Sequence, residues 1–196
     1  IRDEITLIPE RLKLTLGTRL DHNDFTGLEV QPNGRLMWTP NEKNSIWLAI
    51  SRAVRTPSRA ENDVLFNYGT QGKPPFLTVL QLNGSPHFNS EKLLAYEAGY
   101  RYQLAPQASI DIAAFYNDYS QLRDLTFDPR LGSFHAGIPS YFLLPIGLNN
   151  KASGQTQGVE VSVDWQPHEK WRLQGNYSFL TMQIHSESPF RSLDPT

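Results

Sequence analysis

The chain has no cysteine in its 196 residues. That excludes a disulfide scaffold, a thiol nucleophile and a cysteine metal site, and it is compatible with the periplasmic side of a bacterial envelope. No apolar run reaches the roughly 18–20 residues of a helical membrane span, so helical spans are excluded. Excess charge of either sign is also missing: a net charge of −2 and a pI near 6.2, with acids and bases interspersed, leave no basic footprint for nucleic acid. There is no G-x-G-x-x-G or Walker pattern, so Gly99, Gly158 and Gly175, which sit inside strand-like runs, mark close packing or curvature and not a phosphate loop. His22, His87, His135, His168 and His185 are isolated and read as solvated loop histidines. Asp21, Asn23 and Asp24 suit either a hard cation or an Asx-rich turn, and the calcium-loop pattern is incomplete. Without a nucleophile elbow or a base with its orienter, no enzyme, catalytic residue, metal or cofactor is expected.

All four tryptophans flank two tight turns: Trp38 and Trp47 bracket Pro40–Asn44, and Trp165 and Trp171 bracket Gln166–Lys170. An indole ring with an apolar body and one N–H donor favours the boundary between hydrocarbon and water, so these four are expected to form a membrane-interface girdle. Tryptophans capping the core of a soluble sheet would give the same spacing. The 39% hydrophobic and 19% charged residues fit both, because membrane strands alternate lipid-facing and lumen-facing side chains.

Period-two alternation runs through most of the chain. Val159, Val161, Val163 and Trp165 alternate with Glu160, Ser162 and Asp164, and beyond the turn Trp171, Leu173, Tyr177 and Phe179 alternate with polar residues. Leu12, Leu14, Leu16 and Leu20 repeat the pattern, as do Tyr96, Tyr100, Tyr102 and Leu104. Glu91–Ala98 also suits an amphipathic helix, but Gly99 and the tyrosine alternation favour strand. Several runs are about 9–11 residues, the length of a tilted membrane strand. Ile8–Arg11, Pro40–Asn44, Ala105–Ala108 and Gln166–Lys170 are short connections that each contain proline, whereas His22–Pro32, Arg55–Glu91 and Leu122–Ser153 are long, and another long one starts at Gln183. Strict alternation places all short connections on one side of the sheet and all long ones on the other, as in transmembrane barrels. A soluble sandwich rarely sustains this.

Arg2–His22, Ser51–Ala60 (SRAVRTPSRA), Ser90–Tyr102 (SEKLLAYEAGYRY), Ala113–Leu122 (AAFYNDYSQL) and Gly158–Leu180 together resemble successive barrel segments of TonB-dependent outer-membrane receptors. The resemblance implies an all-β, antiparallel, up-and-down transmembrane barrel of about 22 strands with an N-terminal plug inside it. It further implies import of a scarce nutrient, such as a ferric siderophore, across the outer membrane of a Gram-negative bacterium. The partners it implies are a small-molecule nutrient chelate, the TonB energy-coupling protein acting through the plug, and outer-membrane lipid. The chain starts at Ile1 with no signal peptide and ends in the polar stretch Ser186–Thr196, and neither a plug nor a terminal aromatic strand is recognisable. It is therefore expected to be an excised piece, residues 1–196 forming one barrel domain of about eight strands.

Arg52 and Arg55 fall where a strand gives way to a loop, where they can reach water or headgroup phosphates, or line an anion-attracting wall. The long loops mix aromatic and basic residues, and Arg59, Tyr68, Phe76, His87, Phe88, Arg123, Phe134, His135, Tyr141 and Phe142 are the candidate ligand-binding set. Flat or anionic cargo suits such a mixture; loops packing against each other would need the same aromatics. A surface module that captures haem, corrinoid, sugar or protein without transport is the alternative function, and an outer-membrane enzyme is a third.

Overall fold

The computed structural model describes residues 1–186 and residue 188. Apart from Ser186 and Ser188, the polar stretch Ser186–Thr196 lies outside the described residues. The elements are β1 (Arg2–Ile8), β2 (Leu12–Asn23), β3 (Gly27–Asn41), β4 (Asn44–Arg55), α1 (Arg59–Asp63), β5 (Leu65–Gln71), β6 (Leu77–Asn83), β7 (Glu91–Ala105), β8 (Ala108–Phe127), a 3-10 turn (Pro129–Leu131), β9 (Ser133–His135), β10 (Tyr141–His168) and β11 (Trp171–His185). Among the described residues, one 11-stranded sheet holds all the strands. Eight of them, β1, β2, β3, β4, β7, β8, β10 and β11, form an antiparallel up-and-down meander, and β5, β6 and β9 belong to the excursions between them. The sheet is open and partial, as an arc of the expected barrel would be.

Register explains why the sequence alternates. Ile5, Leu14, Leu36, Leu48, Ala98, Ala114, Val159 and Phe179 are successive cross-strand partners and make one apolar row across all eight meander strands. One residue along, Thr6, Lys13, Met37, Trp47, Gly99, Ala113, Glu160 and Ser178 make the neighbouring row on the opposite, mostly polar face. Because side chains alternate with period two, any one-residue slip would exchange the faces. Near the short turns the polar face carries cross-strand ion pairs, Lys13 with Glu4 at 3.0 Å, Arg101 with Asp111 at 2.8 Å, and Arg172 Nε with Asp164 Oδ1 at 3.1 Å.

The sheet does not close over a core of its own. Val79, Phe88, Ala95, Ile146 and Ala152 are the buried hydrophobic side chains among the described residues, whereas Leu48 is 52% and Phe179 54% exposed. A continuous apolar face of this extent is unlike the surface of a soluble monomer. Aromatics are ordered along it: the Tyr100 hydroxyl donates to Asn44 Oδ1 at 2.6 Å beside a short turn, and Tyr96 and Tyr116 pair farther up with ring centroids 6.3 Å apart.

Three expectations about the chain's course are corrected. His22–Pro32 is not a long loop, because β2 and β3 pair out to Asn23 and Gly27. Asn23 makes this compact turn: its Oδ1 accepts from the N–H groups of Phe25 and Thr26, both at 2.9 Å, and Gly27 adopts φ +72°. Pro32 lies one residue beyond the β3–β4 pairing, which begins at Asn33, so its missing donor interrupts no ladder there. Leu122–Ser153 is likewise mostly strand, with β8 running to Phe127 and β10 starting at Tyr141, and β11 continues past Gln183 to His185. Backbone ladders need N–H and C=O groups and not apolar side chains, so polar sequence can prolong a strand.

The register also separates the tryptophans. Trp38 and Trp165 lie on the apolar face, each opposite apolar residues (Leu12 and Ile46; Ala108 and Leu173), and Trp171 precedes Leu173 by two on the same strand. Trp47 faces the other way and departs from the girdle pattern. It lies against Gly99, where a Cβ would come within 2.2 Å of its Nε1, and the Arg35 guanidinium sits 4.6 Å above its ring centre. The glycine makes the slot and the cation covers the indole.

These glycines are expected to differ sharply on substitution in an intact receptor. At Gly158 a Cβ would lie 2.4 Å from the Phe179 carbonyl oxygen, whereas at Gly175 it meets nothing within 4 Å. Gly158→Ala should lower unfolding stability by about 1–3 kcal/mol through overpacking. Gly175→Ala should be neutral or gain up to about 1 kcal/mol from strand propensity. Equilibrium unfolding of the two variants checks the contrast.

Candidate functional site

At the long-connection end, β10 outgrows the meander. Its first segment, Tyr141–Gly147, runs parallel to β6 on one side, and on the other it pairs with β9 and with the tip of β8. β5 completes the arrangement on the far side of β6. The excursion after β4 thus reaches over β7 and β8 to join the sheet at β10.

This small sheet gathers most of the aromatic residues expected to form a binding set. Tyr68 is the bulged residue of β5, between Asn67 and Gly69, and Phe76 sits in the turn before β6; both are largely exposed. Phe134 and Phe142 are cross-strand partners, as are His135 and Tyr141, whose rings stack 4.9 Å apart at 7°. Ser133 Oγ lies 3.0 Å from His135 Nε2, which fixes the edge of that ring. His87 is exposed below this sheet, and Arg59, also exposed, stands 3.9 Å from Asp63 on α1. Phe88 is different: at 4% exposure it packs inside the base of the loop and presents no surface to a ligand.

A polar clasp, most of it unforeseen, joins this sheet to the meander. Ser58 and Glu61 form a capping box at the start of α1, a signature present in the sequence as Ser58-Arg-Ala-Glu61. The Glu61 carboxylate is buried, accepts from Arg55 Nη1 at 3.0 Å and Nη2 at 2.7 Å, and accepts from the Ser58 N–H at 2.8 Å. The Arg55 guanidinium, and then the Ser58 donors, hold its pKa down to about 2 against the opposing effect of burial. Arg55 Nε also donates to Glu91 Oε2 at 2.7 Å, and Glu91 Oε1 accepts the backbone N–H of Arg123 at 2.8 Å. Arg123 brings its own guanidinium to 3.6 Å from Glu61 while staying 61% exposed. Arg52 is engaged too, donating to the Val30 carbonyl and pairing with Glu29 at 3.6 Å. Both strand-end arginines therefore have partners within the chain. Apart from the capping box, the clasp has no local sequence signal, because Arg55, Glu91 and Arg123 are far apart in the chain.

A family model described as TonB dependent receptor-like, beta-barrel, matches residues 1–194. No curated protein matches the sequence. Among solved structures, a variant of the ferric enterobactin receptor PfeA of Pseudomonas aeruginosa in complex with enterobactin aligns with TM-score 0.78 and 20% identity, over 92% of this chain and 26% of that one. The siderophore receptor PirA of Acinetobacter baumannii aligns with TM-score 0.73 and 17% identity, over 91% and 26%. PirA of Pseudomonas aeruginosa gives TM-score 0.73 and 21% identity, over 92% and 33%. These likenesses show the fold, and the chain spans about a quarter to a third of the length of those receptors.

The depressed Glu61 pKa sets a pH window for the clasp. Since the folded value, about 2, lies below the ordinary 4.5, its stabilisation is fully present above about pH 4.5 and is lost as pH falls toward 2. Hydrogen exchange of the α1 amides in the intact receptor should be insensitive to the state of this group above that window and lose protection within it. Glu61→Ala should remove the protection at neutral pH, by about 1–3 kcal/mol, less than a wholly buried pair because its arginines are half exposed or more.

Proposed function

Because the chain belongs to the TonB-dependent receptor β-barrel family, we propose that its parent is an outer-membrane receptor of a Gram-negative bacterium that binds a ferric siderophore or similar nutrient chelate and imports it by energy-coupled transport. The observation that carries this reading is the small aromatic sheet at the long-connection end, which brings Tyr68, Phe76, Phe134, His135, Tyr141 and Phe142 into one structural unit, with Phe134 and Phe142 on one face of β9–β10 and the stacked His135 and Tyr141 on the other, and with Arg59 and Arg123 on the adjoining α1 and β8. Stacking surfaces for flat chelates and guanidinium donors for anionic oxygens occur within one structural unit. Solved receptors with this fold include one holding enterobactin, which supports a chelate as ligand.

The two faces suit the rest of the assignment. Lipid covers the apolar face, with Trp38, Trp165 and Trp171 toward one membrane boundary. The polar face lines the lumen, where a plug acts as the route to the TonB energy-coupling protein. Near the short turns this face holds a hollow of about 440 Å³ lined by Arg2, Glu4, Lys13, Thr15, Arg35 and Met37, among others, a surface suited to a polar protein segment.

Excising the β5–β6 hairpin tests the recognition surface. The Gly84 N–H donates to the Val64 carbonyl at 2.7 Å, so removing residues 65–83 and joining Val64 to Gly84 needs little rearrangement. In the intact receptor this deletion should preserve insertion and heat-modifiable mobility of the barrel. It should weaken binding of ferric enterobactin, or of whichever of haemin and cyanocobalamin the intact receptor prefers, by about tenfold or more, the loss of one or two aromatic contacts. Unchanged affinity would refute the assignment of this hairpin to recognition.

A further inference from the structure

The small aromatic sheet joins the meander through β8 and β10, and the ladder between those two strands is irregular at one level. Pairing between β7 and β8 stops at Lys92 and Ser120. The next residue, Gln121, is a non-glycine at φ +57°, inside β8. Opposite it, β10 shifts register twice, between Asn149 and Ala152 and again between Ala152 and Gly154. Bulges on one strand and a left-handed residue on the other interrupt the ladder at one level, and such interruptions bend a sheet easily. The excursion from β4 has its two chains in close contact a few residues farther up, next to the Asn83–Gly147 pair: at Gly84 a Cβ would lie 2.7 Å from the Val64 nitrogen. Beyond this line lie β5, β6, β9 and the tips of β8 and β10.

Side chains supplement the irregular ladder across the line. Asn150 Oδ1 accepts the Asn89 N–H at 2.7 Å, and its Nδ2 donates to the carbonyls of Asn89 at 3.0 Å and Gln121 at 2.8 Å. Glu91 accepts the Arg123 N–H, and the Arg123 guanidinium reaches Glu61. We propose that β5, β6, β9 and the tips of β8 and β10 form a hinged leaf, turning as a unit about Gln121–Ala152 and Val64–Gly84, with Asn150 and Arg123 as its latches. This rests on the reading of the leaf as the recognition surface. Arg123 is the latch most easily exchanged. Glu61 keeps the bidentate Arg55 and the Ser58 donors when Arg123 leaves, so an anionic oxygen on an arriving chelate can take the guanidinium without stranding a buried carboxylate. Both residues are therefore positioning residues for the leaf, and Arg123 also carries the contact to cargo.

Distances between pairs of spin labels on the full-length receptor in lipid nanodiscs, without any cargo, test the hinge, because a leaf that turns as a unit keeps its own ladder and changes only its distance to the meander. In the unmodified protein, labels at Thr70 and Ser133, both exposed and both in the leaf, should give one narrow distance, whereas Ser133 against Gln107, exposed in a short turn, should give a broader distribution than Glu42 against Gln107. Asn150→Ala and Arg123→Ala should each shift or broaden the Ser133–Gln107 distance further and leave the Thr70–Ser133 and Glu42–Gln107 distances unchanged. In the unmodified protein, a Thr70–Ser133 distribution as broad as the Ser133–Gln107 one, or a Ser133–Gln107 distribution as narrow as that of Glu42–Gln107, would overturn the proposal even if a variant failed to fold. A variant that changes the Thr70–Ser133 distance as much as the Ser133–Gln107 distance would overturn it too. Since no cargo is present, a working hinge in a receptor that binds none of ferric enterobactin, haemin and cyanocobalamin would refute the recognition reading alone.

Discussion

The structure depends on one register. Eight strands share a single row from Ile5 to Phe179, and every strand that keeps the row places its apolar residues on one face. Backbone pairing fixes the spacing, and the alternation of side chains makes the choice of register almost binary, since a slip by one would turn charged residues onto the apolar face. The weak interior follows from this. A sheet whose apolar side is meant for an outside medium needs little core, and among the described residues the buried hydrophobic side chains are few.

Where that register ends, a different kind of cohesion begins. At the level of Gln121 the ladder is irregular, and charged and carboxamide side chains supplement its hydrogen bonds. Buried Glu61 tolerates this position because Arg55 and the α1 cap satisfy it before Arg123 is counted. The sheet proposed for recognition is thus joined to the meander by side-chain interactions that are individually replaceable, on a scaffold held by interactions that are not.

How much of this was legible depended on range. Alternation around Leu12–Leu20, Tyr96–Tyr102 and Val159–Phe179 was readable because face assignment is a local, period-two property. The antiparallel meander and the four short turns followed from it. Loop ends were misjudged because Gly, Pro and Asn in His22–Pro32 signal turns, yet Asn23 closes the turn within a few residues and the rest joins the ladder. Trp47 shares the turn-flanking place of the other tryptophans, yet its position one residue from Ile46 puts it on the polar face against Gly99. The aromatic set was legible as composition. Its assembly on one leaf was not, since the parallel pairing of β6 with β10 joins residues more than sixty positions apart. Phe88 was indistinguishable from its exposed neighbours until packing placed it at the base of the loop.

In the proposed receptor the row through Val159 and Val161 meets lipid, and the row one residue away meets the lumen. Val161 pairs with Ile112 and Tyr177 on the apolar face, and Ser162 pairs with Asp111 and Asn176 on the polar one. The most direct test measures unfolding free energies of Val161→Arg and Ser162→Arg in the intact receptor reconstituted in lipid vesicles. The account predicts a loss of about 2–4 kcal/mol for Val161→Arg, the cost of a lipid-facing arginine at the midplane, and a much smaller one for Ser162→Arg. Equal losses, or a larger loss at Ser162, would contradict it.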